Sequence, residues 1–203
     1  MKPISFWFSV GSTYTYLSVM RLSAVARQTG ATFVWKPFSV RDIMVEMDNI
    51  PFRTKPIKAR YMWRDIERRA KRYGFDAKVP APYPLEQFDL ANQVAIVGCL
   101  EGWCEGYVVE TYRRWFLSGE PAGEDPNLSA SLTAIGQQPA RVVERASAPE
   151  IEAAYRAATD EARSLEIFGA PTFVVGKECF WGDDRLEDAI AWAEAERESG
   201  HQE

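Results

Sequence analysis

A proline stands at the entrance of an apolar run near the C-terminal end of the chain. Positions 168–175 read Phe-Gly-Ala-Pro-Thr-Phe-Val-Val, with Pro171 directly after two small residues. Proline cannot donate a ladder hydrogen bond, so it predicts the start or the edge of a strand. A cis peptide bond is tolerated at a bend of this kind. We expect such a bond to turn the backbone N–H and C=O of Ala170 outward, where a ligand could pair with them.

A second run, at 180–186, follows after four residues and reads Phe-Trp-Gly-Asp-Asp-Arg-Leu. Gly182 allows a close approach of the backbone. Asp183 and Asp184 open a predicted helix, where carboxylates interact favourably with the positive end of the helix dipole. The two runs together predict a binding ledge with a helix N-terminus beside it.

Charge and composition narrow the class of protein. The formal net charge of −5 argues against nucleic acid or an anionic membrane as the main partner. No apolar run approaches the roughly 18 residues that a membrane span needs, and the strand-like N-terminus has no signal-peptide core. We therefore expect a cytoplasmic protein. The content of 46% hydrophobic residues is enough for a real core.

The cysteines and the histidine argue against several kinds of site. The three cysteines include no C-x-x-C pair and no metal-ligand spacing, so we expect packing residues and no bound metal. They are Cys99, Cys104 and Cys179. The one histidine, His201, lies in the polar C-terminal tail, which argues against a histidine base or a histidine metal site.

Hydrophobic periodicity predicts the order strand, helix, strand, a long helical block, then helix, strand, strand, helix. The first strand covers 3–9, the second covers 31–37, and the helix between them has Ser12 as its predicted N-cap. A capping box at 147–150 predicts the start of the helix that precedes the Pro171 strand. This order is typical of an α/β fold whose sheet is interrupted by a helical insertion.

The same order predicts how the chain divides into domains. We assign 1–37 and 168–198 to one discontinuous α/β domain and 38–167 to a mainly helical insertion domain. Residues 199–203 are predicted to be a flexible tail. Within the insertion, 38–56 is rich in proline and is predicted to be a loop with room for one short helix.

The β-α-β and β-β-α units, with a proline opening the third strand, resemble the thioredoxin fold, and the helical insertion resembles its DsbA-like branch. Residues 8–17, Phe-Ser-Val-Gly-Ser-Thr-Tyr-Thr-Tyr-Leu, are similar to the start of the 2-hydroxychromene-2-carboxylate isomerases. Residues 61–68, Tyr-Met-Trp-Arg-Asp-Ile-Glu-Arg, resemble the middle helix of that family, and 169–173 and 181–186 resemble its C-terminal signature. Kappa-class glutathione transferases are near relatives. The resemblance implies an α/β, thioredoxin-like βαβ…ββα fold with a long all-helical insertion.

The resemblance also implies a glutathione cofactor. Ser12 occupies the position at which redox members carry a C-x-x-C motif, so disulfide exchange from this site is not expected. A hydroxyl at a helix N-terminus favours a nearby thiolate, which implies that Ser12 is catalytic and that glutathione brings the thiol. The implied glutathione-binding residues are Ser12, Ala170, Pro171, Trp181, Gly182, Asp183 and Asp184. The alternative is that these residues serve the fold alone, as helix caps and as a strand entrance.

The implied substrate is a small aromatic carboxylate, which needs a cation and an apolar wall. Arg53, Tyr83 and Asn49 are the implied substrate-binding residues, with Arg41 and Lys58 as neighbours that could share the task. The implied reaction interconverts 2-hydroxychromene-2-carboxylate and trans-o-hydroxybenzylidenepyruvate. In it the thiolate adds reversibly to a conjugated carbon, the ring opens, a bond rotates, and elimination restores glutathione.

Two positions depart from the pattern of the isomerase family. Thr13 stands where the family has proline, and we expect Gly11 to loosen the same loop. Two other functions stay open: a kappa-like glutathione transferase that releases a conjugate, and a noncatalytic protein that binds glutathione or another small molecule. The relatives imply a homodimer.

Overall fold

The computed structural model describes residues 2–50, 52 and 55–199 of the 203-residue chain. Its strands are β1 (Ile4–Phe8), β2 (Phe33–Pro37), β3 (Thr172–Val175) and β4 (Glu178–Trp181). Its α-helices are α1 (Thr15–Thr29), α2 (Val40–Glu46), α3 (Pro56–Arg72), α4 (Phe88–Glu101), α5 (Cys104–Arg113), α6 (Asn127–Ala134), α7 (Pro139–Ala146), α8 (Pro149–Ser164) and α9 (Leu186–Ser199). A π-helical segment, Arg114–Ser118, extends α5, and a 3₁₀ turn, Asp183–Arg185, precedes α9.

The four strands form one mixed sheet in the order β2-β1-β3-β4. Strand β1 pairs with β2 in parallel and with β3 antiparallel, and β4 continues the sheet antiparallel to β3. Phe6 lies opposite Trp35 on one side and opposite Phe173 on the other. The side chain of Phe6 is fully buried, as expected for a central strand with both faces covered. The predicted βαβ and ββα units, joined through a helical block, are confirmed.

Helix α1 begins later than the sequence predicts. Its N-cap is Tyr14, which makes no side-chain capping hydrogen bond, so the prediction of Ser12 as N-cap is wrong. Ser12 lies instead in a turn, where its N–H donates to Ser9 O at 3.0 Å. At the other end Gly30 takes up a left-handed conformation with φ of 72° and donates to Ala26 O, which ends the helix as predicted.

Two further helices begin in ways that local sequence signals explain. The predicted capping box is wrong, because Ser147 Oγ donates back to Val143 O at 2.9 Å and α8 begins at Pro149. Proline suits the first helical position, since its missing N–H would have no intrahelical partner there. Helix α2 is the short helix of the predicted loop region, and Ser39 caps it by accepting from Asp42 N–H at 3.2 Å.

One hydrophobic core runs through the sheet and the inserted helices. Phe6 and Phe173 of the sheet belong to it, together with Tyr16 of α1 and Phe116 of the insertion. The rings of Tyr16 and Phe116 stack with their centroids 4.0 Å apart. Because the insertion packs directly on α1, it also helps to set the position of the loop that precedes this helix. The boundaries of the two predicted domains stay a prediction.

The cysteines do not all behave as predicted. Cys104 is buried, but Cys99 near the end of α4 and Cys179 on the edge strand β4 are exposed, so the prediction of three packing residues is wrong. His201 lies outside the described residues. Among the residues that the structure does describe, no helix combines the length and the apolar character needed to cross a membrane.

Candidate active site

The hydroxyl of Ser12 lies directly across from the backbone of Ala170. Ser12 Oγ donates to Ala170 O at 2.7 Å. The Ala170–Pro171 peptide bond is cis, and the Ala170 N–H has no hydrogen-bond acceptor among the described residues. The Ser12 side chain is half-buried, so its hydroxyl can reach a ligand at the surface. Two features that lie at opposite ends of the sequence therefore meet in one place.

The loop between β1 and α1, residues 9–14, is called here the Ser12 loop. Gly11 gives this loop a shape that other residues would not readily adopt. Its φ is +119°, and a Cβ at this position would come within 2.6 Å of the Phe88 ring. The expectation that Gly11 loosens the loop is therefore wrong, because it is the glycine that fits against Phe88. Thr13, in the position of the family's proline, is buried and donates its hydroxyl to Met62 Sδ at 3.0 Å. Both departures from the family pattern are part of the packing around Ser12.

Two buried polar side chains of the inserted helices contact the same loop from the interior. Asn92 of α4 accepts from Val10 N–H at 2.7 Å and donates to Val10 O at 2.9 Å. Tyr112 of α5 lies 3.0 Å from Ser9 O and 3.0 Å from Ser12 O, and its hydroxyl is the donor. Neither side chain is exposed. The loop is therefore held by the insertion as well as by the sheet.

Asp183 is buried and paired inside the protein, whereas the side chain of its neighbour Asp184 is exposed. Its carboxylate lies 2.7 Å from Arg69 Nη2 and accepts a hydrogen bond from Tyr73 Oη at 3.4 Å, and the side chain is 1% exposed. Burial raises the pKa of Asp183 to about 7, although the guanidinium groups of Arg69 and Arg21 oppose this shift. The carboxylate of Asp183 is thus engaged inside the protein, and its contact with glutathione stays a prediction.

A polar cleft lies beside Asp184, between α3 and the turn that precedes α9. The volume of this polar cleft is about 640 Å³. Its lining residues are Asp65, Arg69, Arg72, Tyr73, Asp184, Arg185 and Glu187. Three of these side chains are cationic and three are anionic, so the polar cleft suits a ligand that carries charges of both signs. Partial burial would raise the pKa of Asp184, but the hydrogen bond from Arg185 and the charge of Arg69 hold it below its ordinary value.

One wall of the polar cleft is hydrogen-bonded to the Ser12 loop and the other to the ledge at Pro171. On one wall the hydroxyl of Tyr14, two residues after Ser12, donates to Asp65 Oδ2 at 3.1 Å. On the other wall Gly182 N–H donates to Pro171 O at 2.9 Å. Hydrogen bonds therefore connect the polar cleft to the residues that flank the Ser12 hydroxyl and the backbone ledge.

Trp181 stands beside the ledge as an exposed aromatic side chain. It is 55% exposed, and its ring packs edge-on against Phe168 with the centroids 4.8 Å apart. Gly169 lies against the indole, and a Cβ at Gly169 would collide with it. Trp181 therefore offers an apolar surface next to the Ala170–Pro171 bond.

The structure brings only part of the predicted substrate-binding set to the site. Arg53 lies outside the described residues. Asn49 is exposed, and in the described part of the chain no hydrogen bond or ion pair links its side chain to the Ser12 loop. Lys58 is exposed, with its Nζ 5.8 Å from the centroid of the Phe52 ring. For Asn49, Arg53 and Tyr83 the role in substrate binding stays a prediction.

Tyr83 forms an aromatic wall with Trp63, called here the Tyr83 wall. Its ring centroid lies 6.1 Å from that of Trp63, and burial raises its pKa while the charge of Arg41 opposes the shift. Arg41 donates to Leu85 O at 2.9 Å, and its guanidinium lies 4.0 Å from the centroid of the Phe88 ring. Phe88 also packs against Gly11, and the charge of Arg41 acts on Tyr83, so Arg41 is a cation close to both the loop and the Tyr83 wall.

The comparison with protein families agrees with this architecture. The model of the DSBA-like thioredoxin domain matches residues 3–190, which include all four strands and the inserted helices. The chain belongs to the family of DSBA-like thioredoxin domains.

This DSBA-like thioredoxin domain has curated relatives of nearly its own length. It is 26% identical over 189 residues to a 2-hydroxychromene-2-carboxylate isomerase of Sphingobium xenophagum, which covers 92% of this chain and 95% of the relative. It is 24% identical over 195 residues to one of Pseudomonas putida, covering 90% of each chain. A solved structure of a 2-hydroxychromene-2-carboxylate isomerase matches with a TM-score of 0.85 at 22% identity over 100% of both chains. The predicted resemblance and the thioredoxin-like fold with a helical insertion are confirmed.

Several residues of this DSBA-like site were not predicted. Asn92 gave a usable signal, because a polar residue inside the apolar sequence of α4 needs buried partners. Tyr112 lies on the apolar face of its helix with Tyr107 and Val108, where its hydroxyl gives no separate signal. Asp65 and Arg69 have the spacing of a surface ion pair, and nothing in the sequence indicates that Arg69 also pairs with Asp183.

Proposed function

We propose that the protein is a glutathione-dependent isomerase that interconverts 2-hydroxychromene-2-carboxylate and trans-o-hydroxybenzylidenepyruvate, or a related aromatic pair. The observation that carries this proposal is the Ser12 hydroxyl at 2.7 Å from Ala170 O, in the position where redox members of the fold carry a thiol pair. A hydroxyl there can stabilise a thiolate but cannot exchange disulfides. The names of the two curated relatives support the proposal.

The residues present fit glutathione at its cysteinyl and γ-glutamyl parts. The Ala170 N–H lacks an acceptor among the described residues, so it can pair with the cysteinyl backbone. The polar cleft presents side chains of both signs, which fits the ammonium and carboxylate groups of the γ-glutamyl end. Asp184 is an exposed carboxylate of this cleft, close to the ledge, and would face the ammonium group, and Arg72 or Arg185 would face the carboxylate. Trp181 would cover the tripeptide from the side.

In this proposal the Ser12 hydroxyl is a hydrogen-bond donor to the sulfur atom of glutathione. Bound glutathione would supply a nucleophilic thiol for reversible addition to a conjugated carbon. The Ser12 hydroxyl favours the thiolate form when it donates to the sulfur, since a hydrogen bond to the charged form lowers a pKa. For this the hydroxyl must turn away from Ala170 O, which a hydroxyl rotor can do without a change in the backbone. The start of α1 lies close by and adds its positive potential.

The substrate end of the site is formed by the Tyr83 wall. Trp63 and Tyr83 supply aromatic surface that would exclude water from a bound ring. Arg41 supplies a cation for a carboxylate, and its hydrogen bond to Leu85 O already fixes the guanidinium. The location in the cytoplasm and the homodimer stay predictions.

The test is an assay of 2-hydroxychromene-2-carboxylate with the purified protein, with and without reduced glutathione. We expect conversion that requires glutathione and leaves the concentration of free thiol unchanged. Ser12→Ala should lower kcat by about 100-fold, the usual effect of removing one donor from an anion-stabilising site. Ser23→Ala, at a serine within α1 whose hydroxyl accepts from Arg27, should leave kcat unchanged.

The same assay separates the other functions. S-methylglutathione keeps the shape of the cofactor but has no thiol, and it should not support conversion. Stoichiometric loss of free thiol would identify a kappa-like glutathione transferase instead. Binding of glutathione without turnover of the substrate would identify a noncatalytic binding protein, and unchanged turnover in Ser12→Ala would contradict the role of Ser12.

A further inference from the structure

One buried tyrosine holds two carbonyl groups of the Ser12 loop. The hydroxyl of Tyr112 lies 3.0 Å from Ser9 O and 3.0 Å from Ser12 O. Burial raises the pKa of this phenol, so it keeps its proton at neutral pH and acts as a donor. Its one proton is shared between Ser9 O and Ser12 O, which belong to the first and last residues of the turn. Tyr112 therefore links both carbonyl groups to helix α5 and fixes the distance between them.

A second side chain acts on the residue between these carbonyl groups. Asn92 binds both backbone groups of Val10, and its second amide hydrogen goes to Phe88 O at 2.8 Å. The amide oxygen also accepts from Ser9 Oγ at 3.5 Å. All four hydrogen-bonding positions of this amide are thus occupied, which fixes its orientation. The backbone of the loop has bonds to α4 and to α5 at successive positions.

The loop has few hydrogen bonds of its own. Its turn is closed by the bond from Ser12 N–H to Ser9 O at 3.0 Å. Without regular secondary structure, the position of such a backbone is set by the side chains that contact it. The loop ends at the Ser12 hydroxyl, which meets Ala170 O on the opposite side. A displacement of the Ser12 carbonyl would therefore be passed directly to its hydroxyl.

We propose that Tyr112 is a positioning residue, whose hydroxyl fixes the Ser12 backbone so that the serine hydroxyl is aimed at a thiol bound beside Ala170. This inference rests on the proposed function and adds to it a role for the helical insertion. Tyr112 acts through the Ser12 carbonyl, and among the described residues no hydrogen bond joins it to the ledge. The effect can be large, because a misplacement of about 1 Å can lower a rate by about 100-fold.

Tyr107 provides a matched control on the same helix. It is buried to the same extent, but its hydroxyl donates to Ala91 O at 3.2 Å, within α4 and away from the loop. Tyr112→Phe and Tyr107→Phe each remove one buried hydroxyl and keep the ring. A merely structural role for Tyr112 predicts similar consequences for the two variants.

The first measurement needs no ligand. Amide hydrogen exchange followed by NMR reports on the bond between Ser12 N–H and Ser9 O in the free protein. Tyr112→Phe should speed the exchange of the Ser12 amide by about tenfold, as local opening becomes easier, while Tyr107→Phe should leave it within a factor of about two. Equal exchange rates at Ser12 in the two variants would overturn the proposal.

The second measurement uses glutathione. The ultraviolet absorbance of the thiolate, recorded against pH, gives the pKa of the bound thiol. Tyr112→Phe should raise this pKa by about one unit and lower kcat by about tenfold with little change in KM, and Tyr107→Phe should change neither. A Tyr112→Phe enzyme with wild-type kcat and thiol pKa would overturn the proposal. Absence of glutathione binding by the wild type would contradict the proposed function, and the exchange rates would still decide whether Tyr112 fixes the Ser12 backbone.

Discussion

The carboxylate of Asp183 lies 2.7 Å from the guanidinium of Arg69, and this pair joins the two walls of the polar cleft. Asp183 is almost fully buried in the turn before α9, whereas Arg69 is 21% exposed on α3. The guanidinium offsets part of the cost of removing a carboxylate from water, and Tyr73 adds a hydrogen bond. The pair therefore sets the distance between the helical insertion and the segment that carries Asp184.

Replacement of Arg69 by methionine leaves the carboxylate of Asp183 without its main partner. We expect the free energy of unfolding at pH 8 to fall by about 3 kcal/mol, because breaking one side of a buried pair leaves an uncompensated charge. Urea denaturation measures this change. The control is Arg64→Met on the same helix, whose exposed pair with Glu67 should contribute less than about 1 kcal/mol. Equal losses in the two variants would contradict the special role of the Arg69 pair.

The raised pKa of Asp183 makes part of the stability depend on pH. Its pKa is about 7 in the folded protein against an ordinary value of 3.8. In this range the native state binds more protons than the unfolded state, so the contribution of Asp183 is complete below the ordinary pKa and is lost as pH rises through about 7. The difference in free energy of unfolding between the wild type and Asp183→Asn isolates this group. Denaturation between about pH 4 and 8 should show the wild type losing up to about 1.4 kcal/mol per pH unit against the variant, and a flat difference would contradict the raised pKa.

The Ser12–Ala170 site shows what local sequence can predict. A serine in the place of a thiol pair and a proline at a strand entrance are short motifs. Each can be recognised from a few neighbouring residues, without knowledge of long-range contacts. The pairing of Arg69 with Asp183 could not be predicted, because a charged residue at helical spacing has the same pattern whether it faces solvent or a buried partner. The same holds for Tyr112, whose ring fits an apolar stripe wherever its hydroxyl points. Long-range contacts of polar groups depend on packing, which periodicity does not describe.

Gly11 should be less replaceable than a glycine that merely ends a helix. Gly11→Ala places a Cβ within 2.6 Å of the Phe88 ring in a backbone with φ of +119°, so both strain and overpacking oppose it. We expect a loss of about 3 kcal/mol in the free energy of unfolding and a lower kcat. Gly30→Ala is the control, since its φ is +72° and its Cβ would meet nothing within 4 Å. In Gly30→Ala the free energy of unfolding should fall by about 1 kcal/mol and kcat should stay unchanged. Thermal denaturation measures the stability of both variants, and a larger loss in Gly30→Ala than in Gly11→Ala would contradict this view of the loop.

Asp184 and Asp188 offer a matched pair for testing the polar cleft. Both carboxylates bind Arg185, at 3.0 Å and 2.7 Å, and both are exposed, but Asp184 lines the polar cleft and Asp188 lies further along α9. If Asp184 receives the ammonium group of glutathione, Asp184→Asn should weaken glutathione binding by about tenfold, the effect of losing one charge-assisted hydrogen bond. Asp188→Asn removes the same charge from the same arginine and should change the affinity by less than about twofold. Titration calorimetry with reduced glutathione measures both values. Both variants lose one negative charge. An equal decrease in affinity would therefore be explained by the lost charge alone and would contradict a direct contact between Asp184 and glutathione.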